Sequence, residues 1–211
     1  MIHRVLFVIC CLAMQCSMAL ASDMVRKAAP PPPASDLLYR KDTIFVFGGV
    51  YSRDDMKDSV IPGAASLERN YLLAVAYDRP LAHLKMGLVV GGEVGVGARV
   101  GDGVSGEFWG GLSFRPQQGI SLGHGVTMSP GFVFGLSVFT NPMGIEREHQ
   151  LRHGGNAYVL FYLGPELAFT FKQWPNTQFV YRLHHRSGGY GTLGGMHEGH
   201  NAQTFGVRWR L

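Results

Sequence analysis

The final eight residues, TFGVRWRL, alternate strictly. Phe205, Val207, Trp209 and Leu211 share one parity, and Thr204, Gly206, Arg208 and Arg210 share the other. Successive side chains of a β-strand point to opposite faces, so this strand is apolar on one side and carries two arginines on the other. Two architectures accommodate such a strand. One is a transmembrane β-barrel with lipid outside and a packed polar interior, and the other is a soluble exported sandwich with the same alternation.

Seven further strand-like segments precede it. The eight are Thr43–Tyr51, Tyr71–Tyr77, Gly87–Val100, Glu107–Phe114, Thr127–Phe139, Ala157–Phe171, Gln178–Ser187 and Ala202–Leu211. Their connections alternate in character. Asp78-Arg79-Pro80, Arg115-Pro116-Gln117 and Lys172-Gln173-Trp174-Pro175-Asn176 are expected to be compact turns. The stretches Arg53–Arg69, Gly101–Gly106, Asn141–Asn156 and Gly188–His200 are mostly longer and more polar. Short turns at one end and long loops at the other favour an all-β, eight-stranded antiparallel transmembrane β-barrel over residues 41–211. Closure satisfies every backbone donor and acceptor in hydrocarbon, and a barrel this small is filled by side chains rather than by a wide pore.

The N-terminus fits an exported protein. MIHRVLFVICCLAMQCSMALA has a basic start, a short apolar run and alanines at A-x-A spacing, so residues 1–21 read as a signal peptide cut after Ala21. Residues 22–40, with the run KAAPPPPASD, read as a proline-rich tether. Cys10, Cys11 and Cys16 all fall within the signal, which excludes disulfides, thiolate metal sites and a cysteine nucleophile from the mature chain. The formal charge of +4 is compatible with an anionic lipid surface but selects no partner by itself.

In the seventh segment Phe179, Tyr181, Leu183, His185 and Ser187 share the parity expected to face lipid. Gln178, Val180, Arg182, His184 and Arg186 share the lumen parity. With the N-terminus in the periplasm this strand ends at the outer surface, so His185 and Ser187 are expected on the lipid side near the outer leaflet. Same-face residues two apart have Cα atoms about 6.5–7 Å apart, within reach of an imidazole-to-hydroxyl hydrogen bond. His185 could then take the Ser187 proton during attack on a carbonyl, and Glu198 is the nearest downstream carboxylate able to orient the ring.

Other clusters read more simply. His197-Glu198-Gly199-His200 lacks the i, i+4 histidine spacing of zinc proteases, so no metal or other cofactor is expected. Glu146-Arg147-Glu148-His149, with Arg152 and His153, reads as a solvated outer loop whose arginines could engage lipid phosphates. The glycines of GGEVGVG (91–97) are expected to allow close barrel packing, with Glu93 inside against an arginine.

The stretch YRLHHRSGGYGTLGGMHEGHNAQTFGVRWRL resembles the PagL family of outer-membrane lipid A 3-O-deacylases, in which a late barrel strand carries His-x-Ser and a Glu follows. The resemblance implies a serine esterase that removes the 3-O-linked acyl chain of lipid A from lipopolysaccharide. Ser187 would be the nucleophile, His185 the base and Glu198 its orienting group. The family's Asn after the serine is Gly188 here, so Gly188, Gly189 and Asn201 are the candidate oxyanion donors. Its implied partners are lipopolysaccharide and other outer-membrane lipids, not nucleic acid, with room for a homodimer. A non-enzymatic surface barrel that binds ligands or adheres is the alternative, and a barrel acyltransferase is a third reading.

Overall fold

A computed structural model describes residues 39–197 and 199–211; the expected signal peptide, most of the tether and Glu198 lie outside the described residues. Ten strand segments follow one another: β1 (Thr43–Ser52), β2 (Leu67–Leu84), β3 (Leu88–Val100), β4 (Val104–Pro116), β5 (Ile120–Gly123), β6 (Val126–Phe139), β7 (Val159–Leu163), β8 (Glu166–Phe171), β9 (Trp174–Ser187) and β10 (Gly199–Arg210). All pairings are antiparallel, and β1 bonds to β2 on one side and to β10 on the other, from Thr43↔Arg210 to Ser52↔Asn201. The sheet is therefore a closed barrel.

Ten segments make eight staves. β5 prolongs the β4 stave and pairs with the start of β6. β7 and β8 are one stave in continuous register with β6 and β9, interrupted at Gly164-Pro165. Proline has no N–H to give to the ladder there, while Gly164 still exchanges both backbone hydrogen bonds with Val133.

The first expected turn is strand instead, and of the second only Gln117 lies outside strands. Asp78 points inward and forms an ion pair with Arg115 at 2.9 Å, so β2 continues past it, absorbing Pro80 at a bulge, and turns at Gly87. Arg115 belongs to the same interior network, so the β4 stave also runs on through β5 to a turn at His124-Gly125, both with positive φ. Of the third expected turn only Lys172 and Gln173 remain outside strands.

Parity sets the two surfaces. Leu73, Val75, Val94, Val96, Phe108, Leu112, Phe134, Leu136, Phe179, Phe205 and Trp209 are exposed on the outside, which forms a belt suited to hydrocarbon. The inside holds two ionic clusters separated by rings. Toward the turn end, Arg182 grips Glu93 (2.6 and 2.8 Å) and Glu166 (2.6 Å), with Arg115 and Arg208 also on Glu166 (2.8 and 2.6 Å). Toward the loop end, Glu107 meets His184 (2.9 Å), and Glu146 meets Arg186 (2.5 Å) and Arg99 (3.3 Å). Phe47, Trp109 and Tyr162 pack between the clusters, and Gly95 makes this layer fit, since a Cβ there would lie 2.1 Å from the Trp109 ring. These side chains fill the lumen, and the expected Glu93–arginine pairing is observed.

The segment read as a solvated loop contains a helix, Gly144–His153, whose first turn enters the barrel mouth. Glu146 is fully buried there because Arg99 and Arg186 supply two cations that no local sequence pattern reveals. At the opposite end, Tyr39, within the expected tether, is buried with the Arg115 guanidinium 5.3 Å above its ring.

Candidate functional site

The alternation of β9 is as expected: Gln178, Val180, Arg182, His184 and Arg186 are buried inside, while Phe179, Tyr181, Leu183, His185 and Ser187 belong to the outer wall. The outer wall is nevertheless not bare at its loop end. Leu183 is 0% and His185 8% exposed despite their outward parity. The cover comes from the β1–β2 connection, residues 53–66, which folds over β9 and β10.

Side chains of β9 and β10 hold this connection down. Gln203 Nε2 donates to the Ser59 and Ile61 carbonyls (2.9 and 2.8 Å), and its Oε1 accepts from Gly63 N–H (3.2 Å). Tyr181 Oη donates to the Val60 carbonyl (2.9 Å), and Asn201 Nδ2 donates to the Asp54 carbonyl (2.8 Å). The Ser59 hydroxyl bonds to that of Ser52, at the end of β1, at 2.6 Å. Arg53, at its start, makes a two-pronged bond to Glu148 on the mouth helix (3.0 and 2.9 Å) and thereby holds the Glu148 carboxyl below the ordinary range.

The sequence reading missed this cover, though a trace of it exists. The outward stripe of β10 is Phe205, Val207 and Trp209 and then turns polar at Gln203 and Asn201. Polar side chains on that face need partners other than lipid, and the loop's carbonyls supply them.

His185 and Asn201 face each other across β9 and β10, and His185 Nδ1 lies 2.6 Å from Asn201 Oδ1. Ser187, half-buried at the end of β9, accepts a hydrogen bond from Gly189 N–H (3.1 Å), with Gly189 at φ +60° shaping the turn. His185 and Ser187 share a face but are not hydrogen-bonded to each other: their partners are Asn201 and Gly189. Of the candidate oxyanion donors, Gly189 N–H is directed at the Ser187 hydroxyl and Asn201 Nδ2 at Asp54, while Gly188 packs on Met196, where a Cβ would lie 1.8 Å from the carbonyl oxygen.

His200 turns into the lumen, between Glu68 (3.1 Å) and Arg99 (3.0 Å), so it does not join His197 in a loop cluster. Among the described residues no three His, Cys, Asp or Glu side chains are placed to hold a metal ion, and no helix is long and apolar enough to cross a membrane.

No protein-family model matches the chain, and no curated protein matches it. Among solved structures it is similar to the outer membrane enzyme PagL, at 12% identity and TM-score 0.47, over 81% of this chain and 99% of that one. It is also similar to the N-terminal β-barrel domain of Pseudomonas aeruginosa OprF (10%, TM-score 0.46, 82% and 98%) and to Ail, the attachment invasion locus protein of Yersinia pestis (9%, TM-score 0.38, 81% and 99%). One of these is an enzyme and another an attachment protein, so the likeness selects no activity. The closed ring, apolar belt and filled polar lumen make the chain an outer-membrane β-barrel in contact with membrane lipid.

Proposed function

We propose that the protein is an outer-membrane serine esterase acting on an acyl chain of lipopolysaccharide, the 3-O-linked chain of lipid A, with Ser187 as nucleophile and His185 as base. The observation that carries this reading is the placement of His185 and Ser187 together on the outer wall of β9, at the barrel end that bears the long connections. On that wall Ser187 is half-buried at the rim and is the group that would meet an acyl ester of the membrane leaflet, with His185 behind it under the β1–β2 connection, whereas the inward His184 and Arg186 are committed to Glu107 and Glu146.

The hydrogen-bonding of Ser187 suits the role. A hydroxyl has one donor and two acceptor sites, and accepting from Gly189 leaves its O–H to be given to His185 Nε2. In the reaction, Ser187 Oγ attacks the ester carbonyl as its proton passes to Nε2, and the collapsing intermediate expels the sugar hydroxyl, which takes that proton. Water then attacks the acyl-serine, again giving its proton to His185, and releases a free fatty acid. Glu198, the carboxylate implied by the motif, would stabilise the imidazolium electrostatically, and the Gly188 N–H is the remaining backbone candidate for the developing oxyanion.

The test is mass spectrometry of lipid A from a Gram-negative host without such an esterase. The unmutated protein should remove one hydroxyacyl chain, and Ser187→Ala or His185→Ala, folded and inserted equally, should slow this by about 10³-fold or more. Unaltered lipid A in the presence of the folded protein would instead leave a non-enzymatic surface barrel, and transfer of the chain to a second lipid would indicate an acyltransferase.

A further inference from the structure

We propose that Asn201, a neutral amide, is the positioning residue that hydrogen-bonds His185 Nδ1 and fixes the working tautomer of the imidazole. This rests on the esterase reading above and deepens it.

Asn201 sits directly opposite His185 on the neighbouring strand, so backbone pairing aligns the two side chains before any side-chain interaction is counted. Its two amide atoms have different partners: one lies 2.8 Å from the Asp54 carbonyl oxygen and the other 2.6 Å from His185 Nδ1. A carbonyl oxygen can only accept, so the Asn201 NH₂ must face Asp54 and Oδ1 must face the ring. With an oxygen acceptor on that side, the proton in the contact belongs to Nδ1. The neutral imidazole is then the Nδ1–H tautomer, and the Nε2 lone pair is left for the Ser187 proton, the form a general base requires.

An amide differs from a carboxylate in a measurable way. Both orient the ring, but only a carboxylate adds a full negative charge that stabilises the imidazolium. Asn201 therefore fixes direction without strongly raising basicity. Through Asp54 it also makes the docked β1–β2 connection the strut for the ring, so loop and imidazole are mechanically one unit.

Two readouts on the full-length barrel in detergent micelles decide the matter. In ¹⁵N-histidine spectra, with the His185 signals assigned by their loss in His185→Ala, Nδ1 should carry the proton and Nε2 should not. Asn201→Ala should admit the Nε2–H tautomer. In lipid A hydrolysis, Asn201→Ala should lower kcat by about 10²–10⁴-fold with little change in KM. Asn201→Asp should recover much of that loss while moving the acidic limb of the pH–rate profile to higher pH, because the carboxylate favours protonated His185. A merely structural role would change the yield of folded protein and leave that limb in place.

An Nε2–H tautomer in the unmutated protein overturns the proposal. So does hydrolysis abolished by Ser187→Ala but unaffected by Asn201→Ala, which leaves the esterase standing. Absence of hydrolysis by the unmutated protein sinks the esterase instead, and the tautomer still decides whether Asn201 holds the ring.

Discussion

On the inner face of β9, His184 donates from Nε2 to the Glu107 carboxylate at 2.9 Å and is surrounded by the rings of Phe47, Trp109 and Tyr162. One residue later, on the outer face, His185 faces a neutral amide that is itself bonded to a loop backbone carbonyl. The inner histidine is one of many charged or polar groups that satisfy each other in a space without substrate access. The outer one has a partner that orients it without supplying a charge. Burial beside a carboxylate marks a structural role for His184, and the esterase proposal rests on the imidazole beside the amide.

The largest effect should come from breaking the inner face. Arg182 and Arg115 each pair with both Glu93 and Glu166, Arg182 at the shorter distances, and replacement of Arg182 by leucine would leave both buried carboxylates short of charge compensation. Removing one partner of such a buried network costs about 3–5 kcal/mol. Arg182→Leu should lower the urea midpoint for unfolding in micelles and shift gel migration toward the unheated-unfolded form. Unchanged behaviour in both assays would mean that Arg115 and Arg208 alone hold the cluster.

A milder pair of variants separates the two histidines directly. His184→Ala removes a donor from buried Glu107, which keeps Ser137 Oγ at 2.7 Å, and should destabilise by about 1–3 kcal/mol. His185→Ala should cost less than that in the same urea titration while carrying the whole loss of lipid A hydrolysis. The reverse ranking of stabilities would place the structural histidine on the outer wall and remove the contrast between the two faces.

How far these roles are legible in the sequence follows from the range of the interactions that create them. Parity is local, so the lumen set of β9, the apolar stripe of β10 and the inward Glu93 could be read from alternation. Turn positions are harder, because Asp78 and Arg115 resemble turn residues in sequence, while their partners, each other and the β3 ladder that both join, are distant in the chain. The buried state of Glu146 depends on Arg99 and Arg186, 47 and 40 residues away, and a short charged helix carries no sign of such distant cations. Likewise His185 and Ser187 can be put on one face from sequence, but the partner of His185 depends on a strand register and on Asp54, 147 residues from Asn201.

The smallest expected effect tests the loop on which the outer face depends. Arg53 bonds Glu148 through two contacts and lies 3.7 Å from Glu68, so it ties the β1–β2 connection to the mouth helix just before Asp54. Because this bond holds the Glu148 carboxyl below its ordinary range, the tie is complete above that range and is lost as pH falls through the lowered value. Amide exchange across residues 54–66, corrected for its intrinsic pH dependence, should therefore accelerate on acidification in the unmutated protein. In Arg53→Ala it should already be faster at neutral pH and respond less to acid, with the urea midpoint unchanged because the pair is exposed to solvent. Identical exchange in the two proteins would show that Gln203, Tyr181 and Asn201 hold the connection without help from the mouth helix, and would confine control of the His185 ring to the β9–β10 wall.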